Sequence, residues 1–427
     1  MLLMSQAGMT GGDALVEVLN GTVNPSGKLT DTWPVNFDDN PSSEGFANQD
    51  GNTAQELYND DIFVGYRYYD TFGVDVSYPF GYGGSYTSFA MSTKSVKADK
   101  DKVTVQVKVK NTGTVSGKEV AEVYFSAPEG NLDKPYQELA GYAKTDELAP
   151  GESQVLTITY DTSEMGSYDT DKAAYVMEDG DYIIRVGNSS RNTHVAGKIN
   201  VAEDTITEQY SNLMVPVTEN PNVADDEKYP TLEPMTTEGA TPITYDGEAD
   251  EIAAASTIAV DFTGYKAPEI IKENEDVDVY VSDTTQTEYL IAENEDGATG
   301  EISRVEKGNA NSSDYTVTYN EHVKKFDGDF SKATLMDVKL KNLSIEQFVS
   351  ALSLEELAEL VNGHSGDATV KGVAGSTWRN DTKGITPVNL SDGPAGLRIT
   401  QKYKDGDQTY YQYATAWPIG TLLAQTW

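Results

Sequence analysis

The chain has 427 residues, 38% of them hydrophobic, and acidic residues outnumber basic ones 69 to 31 for a net charge of −38. This length and apolar content suit two or three ordinary domains, and no uncharged apolar run reaches the ~18 residues of a membrane span. The negative charge argues against nucleic acid and anionic lipid as partners, and it leaves neutral ligands and calcium open. A solubilised surface is the simplest interpretation of the acidity, and a salt-adapted or secreted habitat is the alternative.

Cysteine and histidine usage limits the chemistry further. The chain has no cysteine, which excludes disulfides, thiolate zinc sites and cysteine nucleophiles. His194, His322 and His364 are its only histidines and lack ligand spacing, so a histidine metal site is not expected. We predict no cofactor and assign no metal-binding residue. Residues 1–9 are apolar but short and are not typical of a signal peptide. The lack of cysteine does not fix the compartment, and we favour an extracellular or cell-surface location over the cytoplasm.

The first 35 residues have the pattern of a single βα unit. Residues 1–4 form an apolar run typical of a buried strand, and residues 8–12 form a glycine-rich turn. Residues 13–19 have helical spacing and end at Asn20-Gly21, a plausible C-cap. Because a lone βα unit cannot bury both faces of a sheet, we expect these residues to be the end of a domain whose earlier strands precede them.

A polar, loop-like stretch at 36–60 is followed by a segment rich in aromatic residues and glycine. Glycine lets backbones approach closely and large rings fill the remaining space, so packing is the favoured interpretation. A stacking platform for sugars is the alternative. The aromatic residues are Phe63, Tyr66, Tyr68, Tyr69, Phe72, Tyr78, Phe80, Tyr82, Tyr86 and Phe89.

Residues 90–200 alternate between apolar and polar side chains. Valines line one face of residues 103–110, and Thr, Gln and Lys line the other. Several short strands separated by turn signals predict a β-sandwich of about 100 residues. The further strand-like runs lie at 123–125, 155–158 and 182–186, and the turn signals lie at 111–113, 149–152 and 178–181.

Residues 201–333 are acidic and rich in Thr, Asn and Glu. Short alternating runs at 277–281 and 315–319 indicate a few strands, and a structureless loop of this length is uncommon. We therefore expect a partly ordered linker or a small β insert.

Two helices are predicted within residues 344–362. Ser344 with Gln347, and Ser353 with Glu356, have capping-box spacing. Phe348 and Leu352 are expected on one apolar face, and Leu354, Leu357, Leu360 and Val361 on another. A strand-like run is present at 386–390, and the chain ends at the start of another helix.

Eight segments, in a consistent spacing, are together similar to one known family. They are Leu-Ser-Asp-Gly-Pro-Ala-Gly-Leu-Arg at 390–398, Ala-Thr-Ala-Trp-Pro at 414–418, the helix at 352–357, Asn-Pro-Ser-Gly-Lys-Leu at 24–29, Gly-Tyr-Arg-Tyr-Tyr-Asp at 65–70, Tyr-Pro-Phe-Gly-Tyr-Gly at 78–83, Glu-Leu-Ala-Gly-Tyr at 138–142 and Leu-Ala-Pro-Gly-Glu at 148–152. In this order they resemble glycoside hydrolase family 3, the β-glucosidase family. The resemblance covers about 1–200 and 335–427 but not the middle of the chain.

The resemblance implies a multidomain protein of the subgroup in which the α/β sandwich precedes the (β/α)8 barrel, truncated at both ends. Under it, residues 1–89 are the C-terminal remnant of the α/β sandwich with its connection. Residues 90–200 are a fibronectin-III-like β-sandwich, and residues 201–333 are an acidic linker or small β insert. Residues 334–427 are then the start, or first βα units, of the glycoside hydrolase barrel.

A retaining β-glycosidase needs two carboxylates about 5–5.5 Å apart. In the resembled family the nucleophile is an aspartate in a Ser-Asp-Trp-type motif, which this sequence lacks. The acid/base glutamate belongs to a loop that would precede residues 1–35. No catalytic residue is therefore assigned, and we expect the parent protein to be an enzyme and this piece alone to be inactive.

Two residues of the 390–398 segment are the predicted substrate-binding residues. The resemblance places Asp392 at the C-terminal end of a barrel strand, where its carboxylate accepts hydrogen bonds from sugar hydroxyls. A simple tight turn at Asp392-Gly393 is the alternative. Arg398 is expected either to brace the loop or to reach the sugar. Core packing is favoured for Trp378 and Trp417, with lining of the sugar pocket as the alternative, and His364 is expected to be a loop or packing residue.

The resemblance implies a β-glucoside or oligosaccharide substrate, from which terminal β-linked sugars are hydrolysed. A related specificity, such as xylosidase, stays open. A non-catalytic carbohydrate-binding or cell-surface module with a fibronectin-like domain is the alternative from another class. The segment at 390–398 favours the enzyme, because an adhesive module has no need of it. The oligomeric state is not predicted.

Overall fold

The computed structural model describes residues 2–43, 45–48, 58–210, 234–267, 291–293, 299–304, 315–319, 329–366 and 368–427. The chain divides into two compact units. The sandwich unit comprises Asp13–Ile271 with Thr421–Trp427, and the second unit comprises Met1–Gly12 with Lys272–Gly420. Each unit has its own hydrophobic core. No helix in the described ranges is long and apolar enough to cross a membrane.

The first sixteen regular elements run from the N-terminal helix to the last strand of the sandwich unit. They are α1 (Gly11–Leu19), β1 (Trp33–Pro34), α2 (Tyr66–Thr71), β2 (Val76–Tyr78), β3 (Phe89–Ala98), β4 (Lys102–Asn111), β5 (Val120–Ser126), β6 (Glu138–Lys144), β7 (Ser153–Asp161), β8 (Ser167–Asp169), β9 (Ala174–Met177), β10 (Gly180–Gly187), β11 (Thr193–Val201), β12 (Thr205–Gln209), α3 (Glu248–Ala254) and β13 (Thr257–Val260). The predicted helix at 13–19 is confirmed, two residues longer at its start.

Two sheets form the β-sandwich. The strands β3, β4 and β7 make a three-stranded antiparallel sheet, and the second sheet has the order β13-β11-β10-β5-β6. Side chains from both sheets share one core, in which the four valines Val103, Val105, Val107 and Val109 of β4 have no exposed surface. The alternation predicted for residues 103–110 is thus confirmed, because successive side chains of a strand point to opposite faces.

Residues beyond 200 also contribute to the sandwich. The strand β13 pairs with β11 in parallel, from Lys198 opposite Thr257 to Val201 opposite Val260. The strand β12 pairs with β9, which pairs with β8, in a smaller three-stranded antiparallel sheet. A composition-based prediction of a linker or insert misses these pairings, because short strands of three to five residues leave little periodicity to detect.

The remaining elements begin with a three-stranded antiparallel sheet, in which the strand predicted at 315–319 is confirmed. The run at 277–281 and His322 lie outside the described residues. The elements are β14 (Ile291–Glu293), β15 (Thr299–Arg304), β16 (Tyr315–Tyr319), α4 (Leu335–Lys339), α5 (Ile345–Ser350), α6 (Leu354–Val361), β17 (Gly375–Ser376), β18 (Asn389–Leu390), β19 (Lys402–Asp405), β20 (Gln408–Tyr411) and α7 (Gly420–Ala424).

Both predicted capping boxes are formed. The Ser344 hydroxyl accepts from the Gln347 amide at 3.2 Å while the Gln347 side chain accepts from the Ser344 amide at 2.8 Å. Ser353 and Glu356 make the same exchange at the start of α6. These reciprocal bonds satisfy amide donors that the first turn of a helix leaves free.

The apolar faces of the two helices agree only in part with the prediction. Phe348 and Leu352 are buried as expected, and Leu357 and Leu360 pack against the same core. The prediction is wrong for Leu354 and Val361, which are 57% and 85% exposed. They are the first and last residues of α6, outside the part of the helix that packs against this small core.

Two strand predictions are also wrong. Residues 2–4 of the run predicted at 1–4 are not in a strand, and their side chains are exposed. Among the described residues, the nearest backbone bridge is the single pair Ala7–Pro418, so this run has no strand to pair with. The run at 386–390 yields only Asn389–Leu390, which pairs with Gly375–Ser376 in the antiparallel sense. The described residues of 334–427 therefore show antiparallel pairs and no parallel βα unit.

The sandwich core generates a direct stability prediction. Ile184 of β10 is fully buried, so Ile184→Ala removes buried atoms and leaves a cavity, which should lower the free energy of unfolding by about 2–5 kcal/mol. Val155→Ala on the exposed face of β7 is the matched control and should change it by less than about 0.5 kcal/mol. Urea denaturation followed by circular dichroism measures both, and equal effects would contradict this assignment of the core.

Candidate functional site

The segment at 391–398 forms a loop closed by its own backbone. The Arg398 amide donates to the Asp392 carbonyl at 2.8 Å. The Ser391 hydroxyl donates to the Arg398 carbonyl, also at 2.8 Å. Inside the loop the Gly396 amide donates to the Gly393 carbonyl at 3.2 Å. These bonds hold both ends of the loop together and fix the backbone positions from which the Asp392 and Arg398 side chains extend.

The loop lies backbone to backbone against the segment at 414–417. The Trp417 amide donates to the Ala395 carbonyl at 3.0 Å. Gly396 has a φ of +100°, and a Cβ there would lie 2.1 Å from the Thr415 carbonyl oxygen. Both the conformation and the close approach require glycine. The two segments that resembled family motifs therefore meet in space.

A cleft of about 440 Å³ opens between these two segments. Arg398 is the only charged residue among the described residues that line it; the others offer amides, hydroxyls and backbone groups. A mostly neutral lining with one guanidinium suits a ligand recognised through its hydroxyls. The lining residues are Gln6, Gly372, Ala395, Gly396, Leu397, Arg398, Ile399, Thr400, Gln401, Ala414, Thr415 and Ala416.

The structure places the two predicted binding residues differently. Arg398 is exposed and lines the cleft. Asp392 is also exposed, but it closes the loop through its carbonyl and is not among the lining residues. The loop brings their backbones together, and it leaves the Asp392 carboxylate outside the cleft.

The remaining residues singled out around the loop have other surroundings. Trp378 packs against the core of the second unit, as predicted, whereas the packing prediction for Trp417 is wrong because its side chain is 63% exposed. His364 has a structural place, as expected. Its backbone bridges to Ser376, and its Nε2 lies 2.9 Å from the Glu359 carboxylate.

A group of buried ionisable residues in the sandwich unit was missed at the level of sequence. Lys28 Nζ lies 2.6 Å from Glu119 Oε1, and both side chains are more than nine-tenths buried. Glu122 is fully buried nearby, and one of its oxygens accepts from the Tyr124 hydroxyl at 2.6 Å. Burial raises the pKa of Glu122 to about 7, although the Tyr124 hydrogen bond and the Lys28 charge oppose the rise.

These charges join the segments 24–29 and 78–83 to the sandwich. The Gly81 amide donates to the Leu29 carbonyl at 2.8 Å, and the Leu29 amide donates to the Tyr82 carbonyl at 2.9 Å. Gly81 has a φ of +79°, and a Cβ there would meet the Glu122 carboxylate at 2.4 Å. A raised carboxyl pKa often marks a catalytic acid. Glu122 has no exposed surface through which a substrate could reach it, so we assign it a structural role.

Two further buried ion pairs anchor helices of the sandwich unit. Asp70 of α2 is 1% exposed, and its carboxylate accepts from Arg191 Nε at 2.8 Å. Arg185 of β10 lies 2.6 Å from Glu248 Oε1 of α3, with its guanidinium 4.6 Å from the centre of the Tyr136 ring. Breaking a buried pair leaves an uncompensated charge, so these contacts hold α2 and α3 in place.

The aromatic segment at 63–89 is mainly a packing element. Phe63 and Tyr69 are buried, the Tyr66 and Phe80 rings are 4.9 Å apart, and Phe63 meets Phe72 edge-on at 5.3 Å. Short centroid distances of this kind stabilise the segment beyond simple burial. The packing interpretation is thus confirmed for these rings.

Comparison with known proteins identifies two domains. Residues 1–86 match the glycosyl hydrolase family 3 C-terminal domain, and residues 119–190 match the fibronectin type III-like domain. The second match falls on the β-sandwich. The expected similarity to glycoside hydrolase family 3 is confirmed by these matches.

Known β-glucosidases align with all or part of the chain. β-Glucosidase A of Butyrivibrio fibrisolvens is 32% identical over 452 residues, covering 100% of this chain and 47% of that protein. A β-glucosidase of Ruminococcus albus is 43% identical over 219 residues, covering 50% of this chain and 23% of its own length. A solved β-glucosidase from Paenibacillus barengoltzii matches with a TM-score of 0.61 and 32% identity over 98% of this chain and 39% of that one. The chain thus spans less than half the length of these relatives.

The buried Glu122 predicts a specific pH dependence of stability. Its folded-state pKa of about 7 lies above the ordinary 4.5, so the folded protein binds a proton that the unfolded chain releases. The stabilisation from neutral Glu122 is therefore complete below pH ~4.5 and is lost as the pH rises towards ~7, by at most about 1.4 kcal/mol per pH unit. Glu122→Gln should remove this component.

Urea denaturation of both proteins between pH 5 and 8 measures the difference. We expect the free energy of unfolding of the wild type to fall relative to that of Glu122→Gln as the pH rises to about 7, and the difference to level off above it. Parallel profiles across the range would contradict a neutral, buried Glu122.

Proposed function

We propose that the chain is part of a retaining β-glucosidase-type glycoside hydrolase, because residues 1–86 match the glycosyl hydrolase family 3 C-terminal domain and residues 119–190 match a fibronectin type III-like domain. The parent protein would hydrolyse terminal β-linked sugars from oligosaccharides or glycosides. The observation that carries this proposal is the loop at 391–398 with its cleft of about 440 Å³, lined by neutral hydrogen-bonding groups and Arg398. Similarity to β-glucosidases along the whole chain supports it.

The cleft is proposed to hold a sugar without cutting it. Retaining hydrolysis requires one carboxylate that attacks the anomeric carbon and a second that protonates the leaving oxygen, about 5–5.5 Å apart. No carboxylate lies among the described lining residues, so the cleft has no such pair. The chain by itself would therefore bind and position a glucoside but not turn it over.

Asp392 and Arg398 are the proposed sugar-binding residues. Arg398 faces the cleft and can donate from its planar guanidinium to ring or hydroxyl oxygens. The Asp392 carboxylate, exposed at the base of the same loop, can accept from hydroxyls of a sugar that extends beyond the cleft. The closed loop fixes both residues on one short segment, which keeps the entropy cost of binding low.

The domain organisation is proposed on the same grounds. Residues 1–89 would end an α/β sandwich domain, and residues 90–200 would form most of the fibronectin-III-like sandwich. Within residues 201–333, β12 and β13 add to that sandwich, and the rest would connect it to the barrel. Residues 334–427 would begin the (β/α)8 barrel, whose closure needs more strands than this segment contains. Exposed apolar side chains there, including Val388, Leu397 and Tyr413, suit a segment that packs against further strands. An extracellular or cell-surface location is proposed from the acidic composition.

Hydrolysis of an aryl β-glucoside by the purified 427-residue chain tests the catalytic part of the proposal. We expect no rate above the uncatalysed background, and activity once the additional sequence present in the relatives is joined to the chain. Robust turnover by this chain alone would mean that it contains both carboxylates and would contradict the proposal.

Binding of glucose to the same chain tests the cleft. Arg398→Ala and Asp392→Asn each remove a charged hydrogen-bonding partner worth about 1.5–3 kcal/mol, so the dissociation constant should rise roughly 10- to 100-fold. Asp407→Asn, at an exposed aspartate outside the loop, is the matched control and should leave it unchanged. Titration followed by NMR measures these constants. Equal affinity in all four proteins would rule out sugar binding by the loop.

A further inference from the structure

Three tyrosine side chains form an aromatic cluster on the small sheet of the sandwich unit. The rings of Tyr168 and Tyr175 lie 5.2 Å apart, those of Tyr175 and Tyr210 lie 5.8 Å apart, and those of Tyr168 and Tyr210 lie 6.4 Å apart. All three pairs meet edge to face. Tyr168 and Tyr175 are each 37% exposed, so the cluster offers ring surface to solvent.

Strand pairing places this cluster in a row across the outer face of the sheet. Tyr168 of β8 is opposite Tyr175 of β9, and Tyr175 is opposite Glu208 of β12. The neighbours Val176 and Thr207 are buried on the inner face. Because strands lie about 4.8 Å apart, the row from β8 to β12 spans roughly 10 Å. It is a length suited to an oligosaccharide rather than to a small ion.

The polar groups of the cluster complement a neutral, hydroxyl-rich ligand. The Tyr210 hydroxyl donates to Glu208 Oε2 at 2.6 Å, which orients the carboxylate beside the rings. Tyrosine combines an apolar ring face with a hydroxyl and loses little entropy on binding, and a carboxylate accepts strongly from sugar hydroxyls. The acidic residues Glu203 and Asp204, at the start of β12, and the net charge of −38 disfavour an anionic ligand.

We propose that Tyr168, Tyr175, Tyr210 and Glu208 form an accessory binding surface for neutral β-linked oligosaccharides on the fibronectin-like sandwich. The solvent-exposed parts of the rings contact the apolar C–H faces of successive sugars, and the Glu208 carboxylate accepts hydrogen bonds from their hydroxyls. This surface belongs to the sandwich unit, whereas the cleft at Arg398 belongs to the second unit. The choice of sugar rests on the function proposed above.

Cross-strand aromatic pairs also stabilise sheets, and a purely structural role for the tyrosines makes a different prediction. In that case Tyr175→Ala would lower the melting temperature and leave sugar binding unchanged. Tyr175→Ala therefore separates the two roles through its effect on sugar binding, and Tyr175→Phe, which keeps the ring and its packing, is the conservative control. If the tyrosines form the binding surface, Tyr175→Phe retains most of the affinity for the sugar, because the ring supplies the contact.

Affinity electrophoresis in gels containing soluble mixed-linkage β-glucan tests the surface, with cellotetraose titration by NMR as the quantitative arm. We expect the intact chain to be retarded by the glucan. Tyr168→Ala and Tyr175→Ala should each weaken binding about tenfold, as for the loss of about 1.4 kcal/mol. Tyr58→Ala, at a tyrosine that is 79% exposed outside the cluster, is the matched control and should bind like the wild type.

The outcomes separate this surface from the cleft. Retardation lost in Tyr175→Ala but kept in Arg398→Ala supports the surface. Binding lost in Arg398→Ala but kept in Tyr175→Ala overturns the surface and leaves the proposed function standing. Absence of glucan and cellotetraose binding in a folded wild-type chain also overturns the surface, and glucose binding at the cleft is then judged on its own titration.

Discussion

A buried lysine sits between two buried glutamates where the connection that precedes the β-sandwich meets its five-stranded sheet. Lys28 and Glu119 form an ion pair at 2.6 Å, and burial beside Gly81 raises the pKa of Glu122 to about 7. An unmatched charge in such a place costs several kcal/mol, so the segments 24–29 and 78–83 cannot leave the sheet without exposing or unpairing these groups. Within the sandwich unit, these buried charges thus hold the end of the segment that matches the family 3 C-terminal domain against the part that matches the fibronectin type III-like domain.

Local patterns in the sequence predicted the local structure well. The alternating valines of β4 and the two capping boxes depend on residues two to four positions apart, and both appear as expected. The ion pairs do not have such a signature. Lys28 with Glu119, and Asp70 with Arg191, are each about a hundred residues apart in sequence, and only the tertiary fold brings them together. The strand prediction for residues 1–4 is wrong for a related reason, because a strand needs a partner strand as well as an apolar pattern.

The sequence located the candidate site but did not show which of its side chains face the cleft. The motif at 390–398 pointed to Asp392 and Arg398, and the structure adds that the loop closes on itself and that only Arg398 lines the cleft. Side-chain direction there depends on Gly396, whose positive φ turns the backbone against Thr415. The tyrosine row was not detected, because Tyr168 and Tyr175 come from short strands, β8 and β9, and Tyr210 directly follows a third, β12. The two proposed binding sites therefore lie on short loops and strand ends, while the valine-rich sheets supply the stability.

Amide hydrogen exchange along the whole chain, with and without glucose, tests this separation most directly. We expect slow exchange in β4, β5 and β10, where the core is fully buried, and fast exchange at 386–427, where many apolar side chains are exposed. Glucose should slow exchange in the loop at 391–398 and leave the sandwich strands unchanged. Uniform protection along the chain, or a glucose effect confined to the sandwich, would contradict it.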